Sequence, residues 1–136
     1  MKWYFASRTR HKEIVKSIGK ILESHNHELS FDWTSLDKII HYDEYLCKEI
    51  AEKISSAIYN TDVFVLISDP EGTDMFIELG IAIKSFLDNK KPKIYIVGEY
   101  NKRSLMHFHP SIIHMDSIEE VMNIECPEIK EKNKRS

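Results

Sequence analysis

A chain of 136 residues fits one domain, long enough to bury a core and with little room for a second. Its net charge of −3 and isoelectric point near 6.2 exclude the global positive field that draws a protein to a nucleic acid polymer or an anionic membrane. Free nucleotides stay open as ligands, because a pocket needs only one or two local cations.

Met1 to Phe5 runs straight into a strand pattern without a signal-peptide apolar region, and no 18-residue apolar run follows, so the expected location is cytoplasmic with no membrane contact. The elements follow in order. Trp3 to Ala6 reads as a buried strand that ends in the polar loop Ser7-Arg8-Thr9-Arg10. Ile14, Val15, Ile18, Ile21 and Leu22 recur at helical spacing and predict a helix over Thr9 to Ser24. Leu29 to Trp33 alternates as a second strand, and Thr34 to Tyr42 is irregular and reads as a surface loop. Cys47, Ile50, Ala51, Ile54, Ala57 and Ile58 form one stripe of a second helix, with Cys47 as a small buried apolar residue.

Val63 to Ile67 is a continuous apolar run, the mark of a central parallel strand covered on both faces. After the turn Ser68 to Gly72, the residues Met75, Phe76, Leu79, Ala82, Ile83 and Phe86 give a third helix. Lys93 to Val97 is a fourth strand, Ile112-Ile113 a fifth, and Ser117 to Met122 a last helical turn or two. The domain is expected to span residues 1–127, with Glu128 to Ser136 as a charged, disordered tail.

Alternating strands and helices predict an α/β fold: a doubly wound, mainly parallel five-stranded sheet in the flavodoxin-like order 2-1-3-4-5, with helices on both faces. Ligands of such sheets bind beyond the carboxyl ends of the strands, which gathers Ser7 to Arg10, Ser68 to Thr73 and Gly98 to Ser104 around one crevice.

The segment Asp62 to Ile83, DVFVLISDPEGTDMFIELGIAI, holds the candidate chemistry. A buried strand delivers an acidic, glycine-containing turn to a helix start, and Glu78 comes one turn into that helix. Asp74 and Glu78 share a face at a spacing of four, and Glu78 borders the apolar stripe, where a carboxylate is desolvated yet reachable. An acidic helix start paired to lysine or solvent is the plain alternative.

Glu78-Leu79-Gly80, after an acidic Gly-Thr turn and a buried strand preceded by Asp62, resembles the nucleoside 2-deoxyribosyltransferase family, which includes the related 2′-deoxynucleoside 5′-phosphate N-hydrolases. The likeness extends to Lys2–Ser7, to Glu49-Ile50-Ala51-Glu52 through Asn60-Thr61-Asp62, to Leu79-Gly80-Ile81-Ala82 and to Lys91-Pro92. It implies that Glu78 attacks C1′ of a nucleoside or nucleotide and displaces the base. The covalent glycosyl-enzyme is then released by a second base (transfer) or by water (hydrolysis). The leaving base needs a proton donor, for which Asp69 and Asp74 are the candidates. Tyr4, Ser7, Arg8, Arg10, Gly72, Thr73 and Ser104 are the candidate substrate-binding residues.

The Ser7–Arg10 loop has two readings, a 5′-phosphate site at a helix N-terminus or an N-cap at Ser7 or Thr9 with solvated arginines. Asn101 to Pro110 reaches into a neighbouring subunit's site by resemblance, with Ser104 as a sugar- or phosphate-contacting residue, which implies a homodimer or higher homo-oligomer. The sequence departs from the family at Ile54, where an aspartate is usual, and in the five-residue step from Thr73 to Glu78. Three alternatives follow: a deoxynucleoside monophosphate N-glycosidase, an NAD-cleaving relative resembling the TIR domain, and an inactive nucleotide-sensing module. No cofactor or metal is expected, since Cys47 and Cys126 have no zinc spacing and His107 and His109 lack a third ligand.

Overall fold

The computed structural model describes residues 1–36 and 43–129. Five strands, β1 (Lys2–Ala6), β2 (Glu28–Leu29), β3 (Val63–Ile67), β4 (Lys93–Val97) and β5 (Ile112–Met115), form one all-parallel sheet in the order β2-β1-β3-β4-β5. Four helices connect them: α1 (Lys12–Ser24), α2 (Glu44–Tyr59), α3 (Asp74–Asn89) and α4 (Ile118–Glu125). The predicted fold class and strand order are those observed. Among the described residues no helix is long and apolar enough to cross a membrane.

Strand alternation divides the core into two layers. Trp3, Phe5, Val63, Val65, Tyr95 and Val97 face one side, where Val15 and Leu22 of α1 and Val121 of α4 cover them. Tyr4, Ala6, Phe64, Leu66, Ile94 and Ile96 face the other, beneath Ile58 of α2 and Met75, Leu79, Ala82 and Ile83 of α3. Asp62 clasps the start of β3 to β1. Its carboxylate accepts the Lys2 N–H at 2.8 Å, and its own N–H donates to the Lys2 carbonyl at 2.9 Å.

The structure corrects several local expectations. The second strand covers Glu28–Leu29 rather than Leu29 to Trp33, because Asp32 accepts the Thr34 N–H at 3.0 Å and bends the chain into a 3₁₀ turn over Trp33–Ser35. Trp33 then folds inward and donates its indole N–H to the Phe5 carbonyl at 2.6 Å. The rest of the predicted loop, 37–42, lies outside the described residues. Thr9–His11 is a 3₁₀ turn that precedes α1. Ile14 and Ile21 stand 50% and 41% exposed, so the covered row of α1 is Val15, Gly19 and Leu22. Gly19 lets Leu29 pack close, since a Cβ there would lie 2.8 Å from Leu29 Cδ1. On α2 only Ile58 is buried, and Cys47 is half-buried rather than part of the core. Ile129 is 4% exposed and belongs to the core, two residues past the expected domain end, while 130–136 lie outside the described residues.

Leu66 is fully buried at the centre of the sheet's α3 side. Leu66→Ala is therefore expected to destabilise the chain by about 2–5 kcal/mol, read from the midpoint of urea unfolding.

Candidate active site

Tyr4 has no exposed surface, and its ring stacks on Phe64 with centroids 5.9 Å apart. β1 aims its side chain at α3, where the hydroxyl donates to Oε1 of Glu78. The helix explains the encounter. Met75, Leu79 and Ala82 are buried against the sheet, and Glu78 lies half-buried at the edge of that row. Gly80 has open space where a side chain would begin.

The environment sets the protonation of both groups. Burial pushes the Glu78 carboxyl up to about 7, against the pull of the Tyr4 hydroxyl and with a further push from the Asp74 charge. Burial, then the Glu78 and Asp74 charges, drives the Tyr4 hydroxyl well above its ordinary value, so it stays a donor. Asp74 is exposed in the first turn of α3, one turn before Glu78.

Asp69 is placed differently from a general acid. It is 3% exposed, and burial alone would raise its carboxyl. The Glu71 N–H at 2.9 Å, His11 Nε2 at 3.0 Å and Arg10 Nε at 3.4 Å outweigh burial and hold the carboxyl below its usual range. Asp69 is a fixed anion that ties the loop after β1 to the turn after β3. Arg8 and Arg10 also share the exposed Glu71, with Arg10 Nη2 3.0 Å from Oε2 and Arg8 Nη1 on the same oxygen. The arginines are thus ion-paired while still partly exposed, and neither Ser7 nor Thr9 makes a side-chain cap bond. The Ser7 hydroxyl donates to the Arg8 carbonyl at 3.0 Å.

Gly72 has φ +133°, and a Cβ there would meet Met75 Cε at 2.5 Å, so backbone geometry by itself requires glycine. Thr73 precedes α3 without a side-chain cap bond. Ser104 is exposed, and its carbonyl accepts the His107 N–H at 3.1 Å. Its loop packs on this chain's own α3, with the Arg103 guanidinium 5.1 Å from the Phe76 ring centre and His107 at 5.8 Å. The structure therefore brings Tyr4, Asp74 and Glu78 together, and Arg8, Arg10 and Asp69 together. Sequence reasoning missed His11 and Glu71, the partners that organise the second group.

No family model matches the chain, and no curated protein matches it in sequence. Among solved structures it is similar to the CMP N-glycosidase BcmB of Clostridium botulinum, with a TM-score of 0.60 over 96% of this chain and 99% of that one. This is a fold that a CMP N-glycosidase carries. Sequence identity is 14%, so the likeness is one of fold.

A carboxyl with a raised folded-state value is easiest to accommodate when neutral. Stability from this source is present below the unfolded value of 4.5 and is lost as pH rises through about 7. The upper limit is about 3 kcal/mol. Glu78→Gln is expected to unfold at higher denaturant than the parent at pH 8, with the difference vanishing near pH 4.5.

Proposed function

We propose that the chain cleaves the N-glycosidic bond of a nucleoside or nucleotide through a covalent glycosyl-Glu78 intermediate, as a relative of the nucleoside 2-deoxyribosyltransferases. The observation that carries this reading is the buried Tyr4 hydroxyl held against a carboxyl whose ionisation falls near neutral pH. An N-glycosidic bond breaks with oxocarbenium character at C1′. A desolvated carboxylate stabilises that charge and then traps it, and Tyr4 fixes which oxygen is free to attack. In this reading the leaving base takes its proton from water at the mouth of the site, which the exposed Asp74 carboxylate one turn away orients, and Asp69 acts by position. Tyr4 contributes orientation and Gly72 the turn that starts α3.

The Arg8–Arg10–Glu71 cluster favours hydrolysis of a monophosphate over base exchange. Two guanidiniums converge on one exposed carboxylate oxygen, a geometry that a phosphate dianion satisfies more fully. The 5′-phosphate displaces Glu71, and Ser7 and Thr73 add hydroxyls at the mouth. The structural neighbour is an N-glycosidase of CMP, a nucleoside monophosphate, which agrees with this choice.

The same reading includes a homo-oligomer. Leu105, Met106 and Phe108 are 85%, 53% and 58% exposed in the loop that carries Ser104, an apolar surface suited to a second copy. Light scattering at micromolar concentration is expected to give at least a dimer, and Leu105→Asp with Phe108→Asp a monomer.

With nucleoside monophosphates as substrates and chromatography of the products, Glu78→Ala is expected to lose base release by several orders of magnitude. Asp74→Asn loses less. The parent rate rises as Glu78 ionises through about pH 7. Tyr4→Phe removes a bond that lowers the Glu78 value, so its acid limb moves to higher pH, whereas Asp74→Asn moves it lower. A well-folded Glu78→Ala protein with parental activity contradicts the reading.

A further inference from the structure

On the opposite face of the sheet from Tyr4 and Glu78, three different ligating side chains meet at the end of the core. His27 comes from the turn between α1 and β2, and Cys126 and Glu128 come from the chain just after α4. Their Nε2, Sγ and carboxylate oxygen all lie within 4.8 Å of one another, although 99 and 101 positions separate His27 from the other two. Cys126 is fully buried, His27 is 10% exposed, and Glu128 is 55% exposed on the solvent side.

The distances bear on two accounts of this cluster, a hydrogen-bonded group and a coordination site. Nε2 stands 3.6 Å from Sγ and 3.4 Å from Oε1. As a hydrogen bond the contact to Oε1 is long, whereas the contact to Sγ is of ordinary length for sulfur. As edges of a coordination tetrahedron they fit. With metal–N and metal–O near 2.1 Å and metal–S near 2.3 Å, tetrahedral angles put N···S at about 3.6 Å and N···O at about 3.4 Å.

We infer that His27 Nε2, Cys126 Sγ and Glu128 Oε1 form three corners of a tetrahedral site for a divalent ion of the zinc type, with water at the fourth. The donor set suits such an ion: one imidazole, one thiolate and one carboxylate, whose two negative charges neutralise it. Nδ1, on the far side of the ring, lies 3.2 Å from the Met1 amine nitrogen. Uptake releases one proton from Sγ. The ion would join the two-residue edge strand β2 to the end of α4, a structural link remote from the candidate catalytic pair. Ligands a hundred residues apart leave no spacing motif in the sequence.

The test uses the full chain, stripped with chelator, and cobalt(II) and zinc(II) salts as probes. Cobalt is expected to bind one per chain with a near-ultraviolet thiolate charge-transfer band, which zinc abolishes by displacement, and zinc raises the melting temperature by several degrees. His27→Gln and Glu128→Gln lie at the rim and leave the core intact, so they serve where Cys126→Ser fails to fold. His27→Gln should weaken binding by about 100-fold or more and abolish the thermal shift. A cobalt complex without the thiolate band, no thermal shift with zinc, or undiminished binding by His27→Gln overturns the inference.

Discussion

The hydrogen bond from Tyr4 to Glu78 is the contact on which the candidate site depends. It joins β1, an inner strand of the sheet, to the helix above it, and it places a carboxyl where water no longer dominates its ionisation. A glutamate in solvent at pH 7 is fully ionised and well hydrated, so it is a poor nucleophile. At the apolar margin of α3 the same group loses part of that hydration but keeps one directed donor. The fold supplies both conditions at once, because β1 alternates Trp3 and Phe5 to one layer and Tyr4 to the other.

A second set of charges holds the mouth of the site in shape. Asp69 is buried among His11, Arg10 and the Glu71 backbone, so the loop after β1 and the turn after β3 move as one body. Its charge is compensated, which is why it is held as an anion while Glu78, with one neutral donor and a like-charged neighbour, is driven the other way. Two acids nine positions apart thus take opposite protonation behaviour from their surroundings. The exposed Glu71 meanwhile gives Arg8 and Arg10 a shared anionic partner.

Much of this was legible in the sequence, because periodicity reports burial. The run Val63 to Ile67 reads as a strand covered on both faces, and all five residues are buried. Met75, Leu79, Ala82 and Ile83 read as the inner row of α3 and are. Glu78 at the border of that row, with Tyr4 offering a hydroxyl to the crevice, follows from the same periods. What failed to show depends on chain distance or on local competition. Asp32 turns a strand pattern into a 3₁₀ turn by taking the Thr34 N–H. The stripe on α2 is real in sequence, but the fold covers only Ile58 fully. Whether Asp69 is an acid or an anchor rests on His11, 58 positions away, and no spacing rule links them.

The central claim is that Glu78 forms a bond to the sugar, and trapping that bond tests it most directly. A 2-fluoro-2-deoxy nucleoside monophosphate destabilises the oxocarbenium-like transition state, so the glycosyl-enzyme turns over slowly enough to be caught. After incubation and proteolysis, mass spectrometry is expected to show one added sugar phosphate on Glu78, and none on the Glu78→Gln protein. An adduct on another residue, or base release from the analogue through a chain that never carries the sugar, would contradict the account.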